Sequence, residues 1–184
     1  MSSGLAIAHA ICADESGARP HPHPWYAVRV KSRFEFTTSA ALGERGYETF
    51  LPSYRSRRAW SDRTKELEMP LFPGYVFCRF DAPDLYCVLN SPGVVNVVSA
   101  GSKPLPVDEQ EVASIQKVCK SGRGAQPWPF LQVGRRVRVE SGPLAGTEGI
   151  VLEVKCGCRI VVSLTLLQRS ISAEIERAWI RPAH

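Results

Sequence analysis

The order of strand and helix patterns constrains the fold of this chain more than any single motif does. Between Trp25 and Cys119 the sequence runs strand, helix, strand, strand, helix, strand, helix. This order predicts a split βαβ unit, in which an antiparallel sheet carries its helices on one face. From Lys120 to Phe130 the periodicity is broken by Gly, Pro, Ser and charged residues, as in linkers. Short strand patterns separated by glycine-containing turns follow, and they predict a small β-barrel.

We therefore expect an α+β protein with two domains. The predicted units are a flexible tail over residues 1–24, an N-terminal domain over 25–119, a linker over 120–130 and a C-terminal barrel over 131–184. The tail is rich in proline and in small or polar residues, which bury too little apolar surface to offset the ordering of the chain. Its apolar stretch LAIAHAICA has no preceding Lys or Arg and contains a histidine, so we do not expect a signal peptide.

Composition and charge narrow the class of protein. Hydrophobic residues make up 44% and charged residues 22% of the chain, which is near the average of soluble globular proteins. No apolar run approaches the roughly 18 residues that span a bilayer, so we expect no membrane partner. The net charge of +5 points weakly to polyanions. The six cysteines lack the spacing of a disulfide scaffold, which indicates reduced thiols and a cytoplasmic protein.

The segment PLFPGYVF leads into the clearest strand pattern of the chain. Because side chains alternate along a strand, every second residue from Val76 to Phe80 suits the core. This leaves Tyr75, Phe77 and Arg79 on an open face of the sheet. An exposed face with two aromatic rings is typical of a binding surface for unstacked bases or for an apolar protein surface. The structural alternative is that a helix or loop of the chain covers these rings.

An RNA-binding module is the alternative function at this strand. The segment GYVFCRF loosely matches the aromatic run of RNA-recognition motifs, whose rings stack on bases. Tyr75 and Phe77 would then form the stacking platform of a module that could be ribosome-associated. That motif has a basic residue before its glycine, whereas this chain has Pro73, and the pair Phe72 and Pro73 favours an apolar groove.

Several segments carry a resemblance to one family. WYAVRV, GYETFLP, PLFPGYVF and SPGVVNVV resemble the NGN domain of NusG-type transcription elongation factors, and VGRRVRVESGPLAGTEGIVLEV resembles the KOW domain that follows it. The end of the chain is more similar to operon-specific paralogues such as those of the RfaH group. In RfaH the KOW segment can refold as a helical hairpin, but the strand-like IVVSL and SISAEI predict a barrel here.

The resemblance implies a bacterial transcription elongation and antitermination factor that suppresses pausing or termination. Its NGN domain would bind the clamp helices of the largest RNA polymerase subunit through Phe72, Pro73, Tyr75 and Phe77. Its KOW domain would recruit a small-subunit ribosomal protein or Rho, with Leu144 as the exposed tip of the turn SGPLAGTEG. The protein is expected to be a monomer.

A basic run lies between the second and third predicted strands of the N-terminal domain, in a polar hairpin or loop. Its residues are Arg55, Arg57, Arg58, Arg63 and Lys65, with Trp60 among them. The run is either a solvated loop or a contact to the non-template DNA near the transcription bubble, where cations neutralise phosphates without reading sequence. In the second case Trp60 would stack on an exposed base.

Signals of catalysis and of metal binding are weak. Cys156 and Cys158 flank one glycine, but a structural zinc site needs four ligands and no second pair supplies them. We predict a turn with free thiols there, and we do not expect His21 and His23 to bind metal. The sequence contains no phosphate loop, nucleophile elbow or zinc-protease helix motif, so we expect neither an enzyme nor a cofactor.

Overall fold

The computed structural model describes residues 23–59, 64–129, 134–154 and 157–183. Predicted features outside these ranges are the tail up to residue 22 with His21, and Trp60, Arg63 and Cys156. The described chain forms an N-terminal α+β domain that ends at Lys120 and a C-terminal β domain that begins at Gln126. Within this part of the chain, no helix has both the length and the apolar character needed to span a membrane.

The N-terminal domain follows the predicted order of strands and helices and adds short hairpins to it. Its elements are β1 (Trp25–Val30), α1 (Glu35–Glu44), β2 (Glu48–Phe50), β3 (Ser53–Ala59), β4 (Thr64–Pro70), β5 (Tyr75–Arg79), a 3-10 turn (Ala82–Asp84), α2 (Leu85–Leu89), β6 (Val94–Val97), β7 (Ser99–Ala100), β8 (Lys103–Pro104), β9 (Pro106–Val107) and α3 (Glu109–Lys120). The central sheet is antiparallel with the strand order β2-β5-β1-β6, and β9 also pairs with β1. The hairpins β3–β4 and β7–β8 form separate two-stranded sheets.

One face of the central sheet packs against α1 and α2. Val28 of β1 and Val76 and Phe80 at β5 share a buried cluster with Leu42 of α1 and Val88 of α2. The alternation along β5 therefore places its even-numbered residues in this core, as predicted.

The opposite face of the sheet packs against α3. Trp25, Ala27 and Phe77 belong to a second buried cluster, together with Val112 and Ile115 of α3. The prediction that the helices lie on one face is therefore wrong. Packing removes the apolar stripe of α3 and the apolar second face of the sheet from water. The favourable free energy of this burial explains why α3 lies on the second face.

The C-terminal domain is β-rich, as predicted. Its strands are β10 (Gln126–Trp128), β11 (Arg135–Val139), β12 (Glu148–Val154), β13 (Gly157–Leu164), β14 (Arg169–Ile175) and β15 (Ile180–Pro182), with a 3-10 turn (Arg177–Trp179) before β15. They form a six-stranded antiparallel sheet in the order β10-β14-β13-β12-β11-β15. The end of the chain consists of strands and not of a helical hairpin.

The second half of the predicted linker is attached to the C-terminal domain. Pro127 is the register partner of Ile171 in the pairing of β10 with β14. Ahead of β10, the carbonyl of Arg123 accepts from the Glu174 amide at 3.0 Å. The prediction of a linker throughout residues 120–130 is therefore wrong. Its composition is that of a linker, but an open sheet edge offers hydrogen-bond partners to any extended segment beside it.

The turn SGPLAGTEG buries the residue that was predicted to be its exposed tip. Leu144 is 0% exposed and lies in the core of the C-terminal domain. The Ala145 amide donates to Gly142 at 3.1 Å and the Thr147 amide donates to Leu144 at 3.0 Å, so the turn folds inwards. The exposed residues of this turn include Pro143 and Ala145. The expectation that Leu144 is exposed is therefore wrong.

We predict that Leu144→Ala lowers the free energy of unfolding by about 2–5 kcal/mol, because it removes buried methyl groups and leaves a cavity. Urea titration followed by amide NMR signals of the C-terminal domain measures this change. The matched control is Leu89→Ala, because Leu89 is 40% exposed and should cost much less. Equal, small losses for the two variants would contradict the buried position of Leu144.

Candidate partner-binding surface

The segment Phe72–Tyr75 forms a tight turn at the start of β5. The Tyr75 amide donates to the Phe72 carbonyl at 3.1 Å, and Gly74 has a φ of +84°. Proline at the second position and a left-handed glycine at the third are the residues that a type II turn requires. The sequence Phe-Pro-Gly-Tyr therefore builds this turn from local chemistry alone, and we call it the aromatic turn.

The central peptide of the aromatic turn is held on both sides. Its Gly74 amide donates to Oε1 of Glu35 at 2.9 Å, and the Glu35 side chain, in the first turn of α1, is buried. Its Pro73 carbonyl accepts from Nη1 of Arg169 at 2.9 Å. Glu35 belongs to the N-terminal domain, whereas Arg169 opens β14 of the C-terminal domain. The two domains therefore meet at this peptide.

The aromatic residues around the turn are largely covered. Phe72 and Phe77 are each 1% exposed, and their rings pack edge-on with centroids 5.8 Å apart. The ring of Phe50 also packs against Phe77, with the two ring centroids 6.1 Å apart. Tyr75 is half-buried, while Pro73 is exposed. The predicted open face is therefore wrong for this conformation, because α3 and the C-terminal domain share one apolar cluster with these rings.

Arg79 was also predicted on the open face, and it is buried as well. Its Nε lies 3.0 Å from a carboxylate oxygen of Glu48, and its Nη2 pairs with Glu109 at the start of α3. The guanidinium also lies 4.5 Å from the ring centroid of Trp25. A buried cation is tolerated only when it is paired and hydrogen-bonded. Arg79 therefore fixes α3 to the sheet and is not a surface anchor.

Polar contacts join α3 to the C-terminal domain. The carboxylate of Glu111 accepts from the amide of Thr165 at 3.1 Å and from its hydroxyl at 2.6 Å. Lys117 Nζ donates to the Ala145 carbonyl at 3.0 Å. Asp108 caps the start of α3, with Oδ1 accepting from the Gln110 and Glu111 amides. Glu111 holds the two domains together.

The basic run lies on a two-stranded ribbon formed by β3 and β4. The register places Arg55 opposite Glu68, Arg57 opposite Glu66, and Arg58 opposite Lys65. The acidic residues of β4 therefore offset part of the positive charge of the basic run. The sequence alone did not show that these acidic residues lie opposite the run. Near the end of the ribbon two cationic residues, Arg58 and Lys65, are register partners.

The described residues contain no group of three or more His, Cys, Asp or Glu side chains that could hold a metal ion. Cys78, Cys87, Cys119 and Cys158 are free thiols. Burial, and to a lesser extent the charge of Glu48, raises the pKa of Cys78 from 9.0 to about 12. Burial also raises the pKa of Cys119 from 9.0 to about 11, and a hydrogen bond with the Ser53 backbone lowers this pKa in part. These two thiols are therefore neutral and unreactive at neutral pH.

The fold and the aromatic turn define the class of this protein, an NGN domain followed by a β-rich KOW domain. Residues 23–116 match the family model NusG, described as transcription termination factor nusG. The chain is 30% identical to the transcription termination/antitermination protein NusG of Staphylococcus epidermidis over 180 residues, which cover 89% of this chain and 96% of that protein. The chain belongs to the NusG family of transcription factors.

Two further similarities agree with this assignment. The NusG of Buchnera aphidicola is 27% identical over 166 residues, which cover 83% of this chain and 92% of that protein. A solved structure described as "Domain interaction in Thermotoga maritima NusG" has a TM-score of 0.52 at 21% identity, and the match covers 88% of this chain and 97% of that one. At this identity the structural match supports the fold alone.

Sequence reasoning missed two residues that organise the site. Neither Glu35 nor Arg169 was singled out. The sequence signal for Glu35 was an acidic residue beside apolar residues at the start of α1. Such a residue needs hydrogen-bond donors when it is buried. No local pattern reveals Arg169, because it is 96 residues from Pro73.

We predict that the free energy of unfolding falls as pH rises from about 9, by about 1.4 kcal/mol per pH unit for Cys78 alone. The sign follows because the unfolded thiol loses its proton above its ordinary pKa of 9.0, whereas the folded thiol keeps it up to about 12. Cys78→Ala should therefore show a shallower decline than wild type in urea unfolding between pH 8 and 11. Leu89→Ala, at an exposed position without an ionisable group, is the control and should keep the wild-type slope. Identical slopes for all three chains would contradict the raised pKa of Cys78.

Proposed function

We propose that this protein is an elongation and antitermination factor that binds the clamp helices of the largest RNA polymerase subunit. The observation that carries the proposal is the aromatic turn, which a proline, a glycine and Glu35 hold rigidly beside Tyr75 and Phe77. Rigid aromatic anchors of this kind dominate the binding energy of protein interfaces. Binding to the clamp suppresses pausing or termination because it favours one state of the polymerase over another. The relatives named for termination and antitermination support this role.

Polymerase binding through this surface requires the two domains to separate. Phe72 and Phe77 are buried, and Arg169 covers one side of the turn. A protein whose competent state is only partly populated binds with an affinity reduced by that fraction. The closed arrangement therefore lowers the affinity for polymerase until an interaction opens it.

The C-terminal domain would recruit a second partner, a small-subunit ribosomal protein or Rho. The turn that contains Leu144 is the proposed contact, but its accessible residues are Pro143 and Ala145, while Leu144 supports them from the core. Lys117 of α3 donates to the Ala145 carbonyl at 3.0 Å. The domain contact therefore reaches this turn as well as the aromatic turn.

The β3–β4 ribbon would contact the non-template DNA beside the bubble. The register positions of Arg58 and Lys65 support this role, since they place two residues of cationic type at one level of the ribbon and cations neutralise phosphates. Arg55 and Arg57 face acidic register partners and would contribute less.

The alternative, an RNA-binding module, has less support. A stacking platform needs free ring faces, but the Phe77 ring is 1% exposed and packs against Phe72 and Phe50 of its own domain. The Tyr75 ring has the Arg169 guanidinium 5.1 Å from its centroid.

We predict that Tyr75→Ala in the full-length chain weakens binding to purified RNA polymerase by tenfold or more, as expected for an aromatic anchor worth about 2 kcal/mol. The substitution also weakens the contact between the two domains, and this effect alone would increase the affinity for polymerase. A net decrease in affinity therefore reports a lost contact with polymerase. Tyr86→Ala is the matched control, because Tyr86 is 75% exposed on α2. Binding to single-stranded RNA is measured in parallel. RNA binding without polymerase binding would favour the alternative function.

We predict that Ala substitution of Arg55, Arg57, Arg58, Arg63 and Lys65 weakens binding to an elongation complex at low salt. The slope of log affinity against log salt should fall by about one for each phosphate that the variant no longer neutralises. Binding to polymerase without nucleic acid is the control and should not change. An unchanged affinity for the elongation complex would show that the ribbon is a solvated surface.

A further inference from the structure

The direction of the Pro73 carbonyl is set by a buried carboxylate. The peptide between Pro73 and Gly74 is trans, so its amide and its carbonyl point in opposite directions. Glu35, which is 5% exposed, accepts from the Gly74 amide at 2.9 Å on one side. The Pro73 carbonyl is therefore directed to the other side, away from α1.

One guanidinium uses this carbonyl and the neighbouring ring together. Arg169 Nη1 lies 2.9 Å from the Pro73 oxygen, and its Cζ lies 5.1 Å from the centroid of the Tyr75 ring. The second distance is within the range of about 6 Å for a cation–π interaction. We call the Pro73 carbonyl and the Tyr75 ring the arginine seat.

The arginine seat is built by one domain and filled by the other. Pro73, Tyr75 and the supporting Glu35 belong to the N-terminal domain, whereas Arg169 belongs to the C-terminal domain. If the domains separate, the seat loses its occupant. A carbonyl that enters a protein interface without a donor carries an unfavourable desolvation free energy. Any partner that covers the aromatic turn therefore has to bring a donor to Pro73.

We propose that RNA polymerase places an arginine in this seat and that Arg169 is the intramolecular competitor of that arginine. This inference rests on the proposed function, because the seat lies within the proposed polymerase-binding surface. A guanidinium fits best because it combines a flat face for stacking on Tyr75 with rigidly placed N–H donors for the carbonyl. A lysine ammonium is a strongly hydrated point charge, and it matches the two contacts less well.

The first test uses the full-length chain with Arg169→Ala, so that the competitor is absent. This variant should bind purified RNA polymerase more tightly than wild type. Within it, position 75 carries phenylalanine with zero, one, two or three ring fluorines. Fluorine withdraws charge from the ring face but makes the ring more apolar, so affinity should fall at each step, by roughly fivefold to thirtyfold overall. The same series at Tyr86, which is 75% exposed, should leave the affinity unchanged.

The second test needs no polymerase. The fluorinated series at position 75 is placed in the chain that retains Arg169, and domain closure is followed by NMR relaxation of the C-terminal domain. Closure should weaken with each fluorine, and Arg169→Lys should weaken it less than Arg169→Ala does.

The outcomes separate this inference from the proposed function. If polymerase binding is tight and its affinity stays constant or increases along the fluorine series, the proposal that a polymerase arginine occupies the seat is contradicted. The proposed polymerase binding is then unaffected. If the Arg169→Ala chain does not bind polymerase, both the proposed function and the proposed polymerase arginine are contradicted. Closure that does not respond to the series would overturn the role of Arg169 as occupant of the seat.

Discussion

The second face of the N-terminal sheet is apolar, and it has to leave water. Trp25, Ala27 and Phe77 lie on this face and are each at most 1% exposed. Helix α3 joins them in one cluster, and that cluster continues without a break into the C-terminal domain, where it includes Leu164 and Ile171. Burial of apolar surface is the dominant favourable contribution to folding, and it has no directional preference. The same free energy that stabilises the domain therefore also draws the second domain onto it.

This constraint explains why binding and stability depend on the same residues. A sheet face that remained exposed would bind a partner readily, but it would also favour aggregation. Helix α3 and the C-terminal domain share the cluster that covers that face. The margin of the covered area is polar: Glu111 contacts Thr165, and Arg169 contacts Pro73. The aromatic turn lies at this margin, so a partner can reach its exposed proline before the domains have fully separated. Opening can then proceed from the edge of the interface towards the buried rings.

Local features of the fold could be predicted from the sequence, because short-range physics determines them. The order of elements, the Asp108 cap of α3 and the Pro-Gly turn follow from hydrophobic periodicity and turn chemistry within a few residues. The wrong predictions all concern which other part of the chain packs against a residue or pairs with it. Alternation in β5 distinguishes two faces but does not show whether the second face is open. Leu144 and the segment around β10 are buried or paired by strands distant in sequence. The Arg169 half of the site could not be predicted for the same reason.

The closed state has to be strong enough to protect the apolar face and weak enough to open. The polar contacts between the domains involve exposed or partly exposed groups, and each contributes only about 0.5–1.5 kcal/mol. Apolar burial between the domains adds to this, because one buried cluster contains residues of both domains. A ligand shifts such an equilibrium by the difference in its affinity for the two states. Under the proposed function, only the contacts of polymerase with residues that are covered in the closed state count towards opening. Weak polar contacts around a covered apolar face are therefore the arrangement that the proposed opening requires.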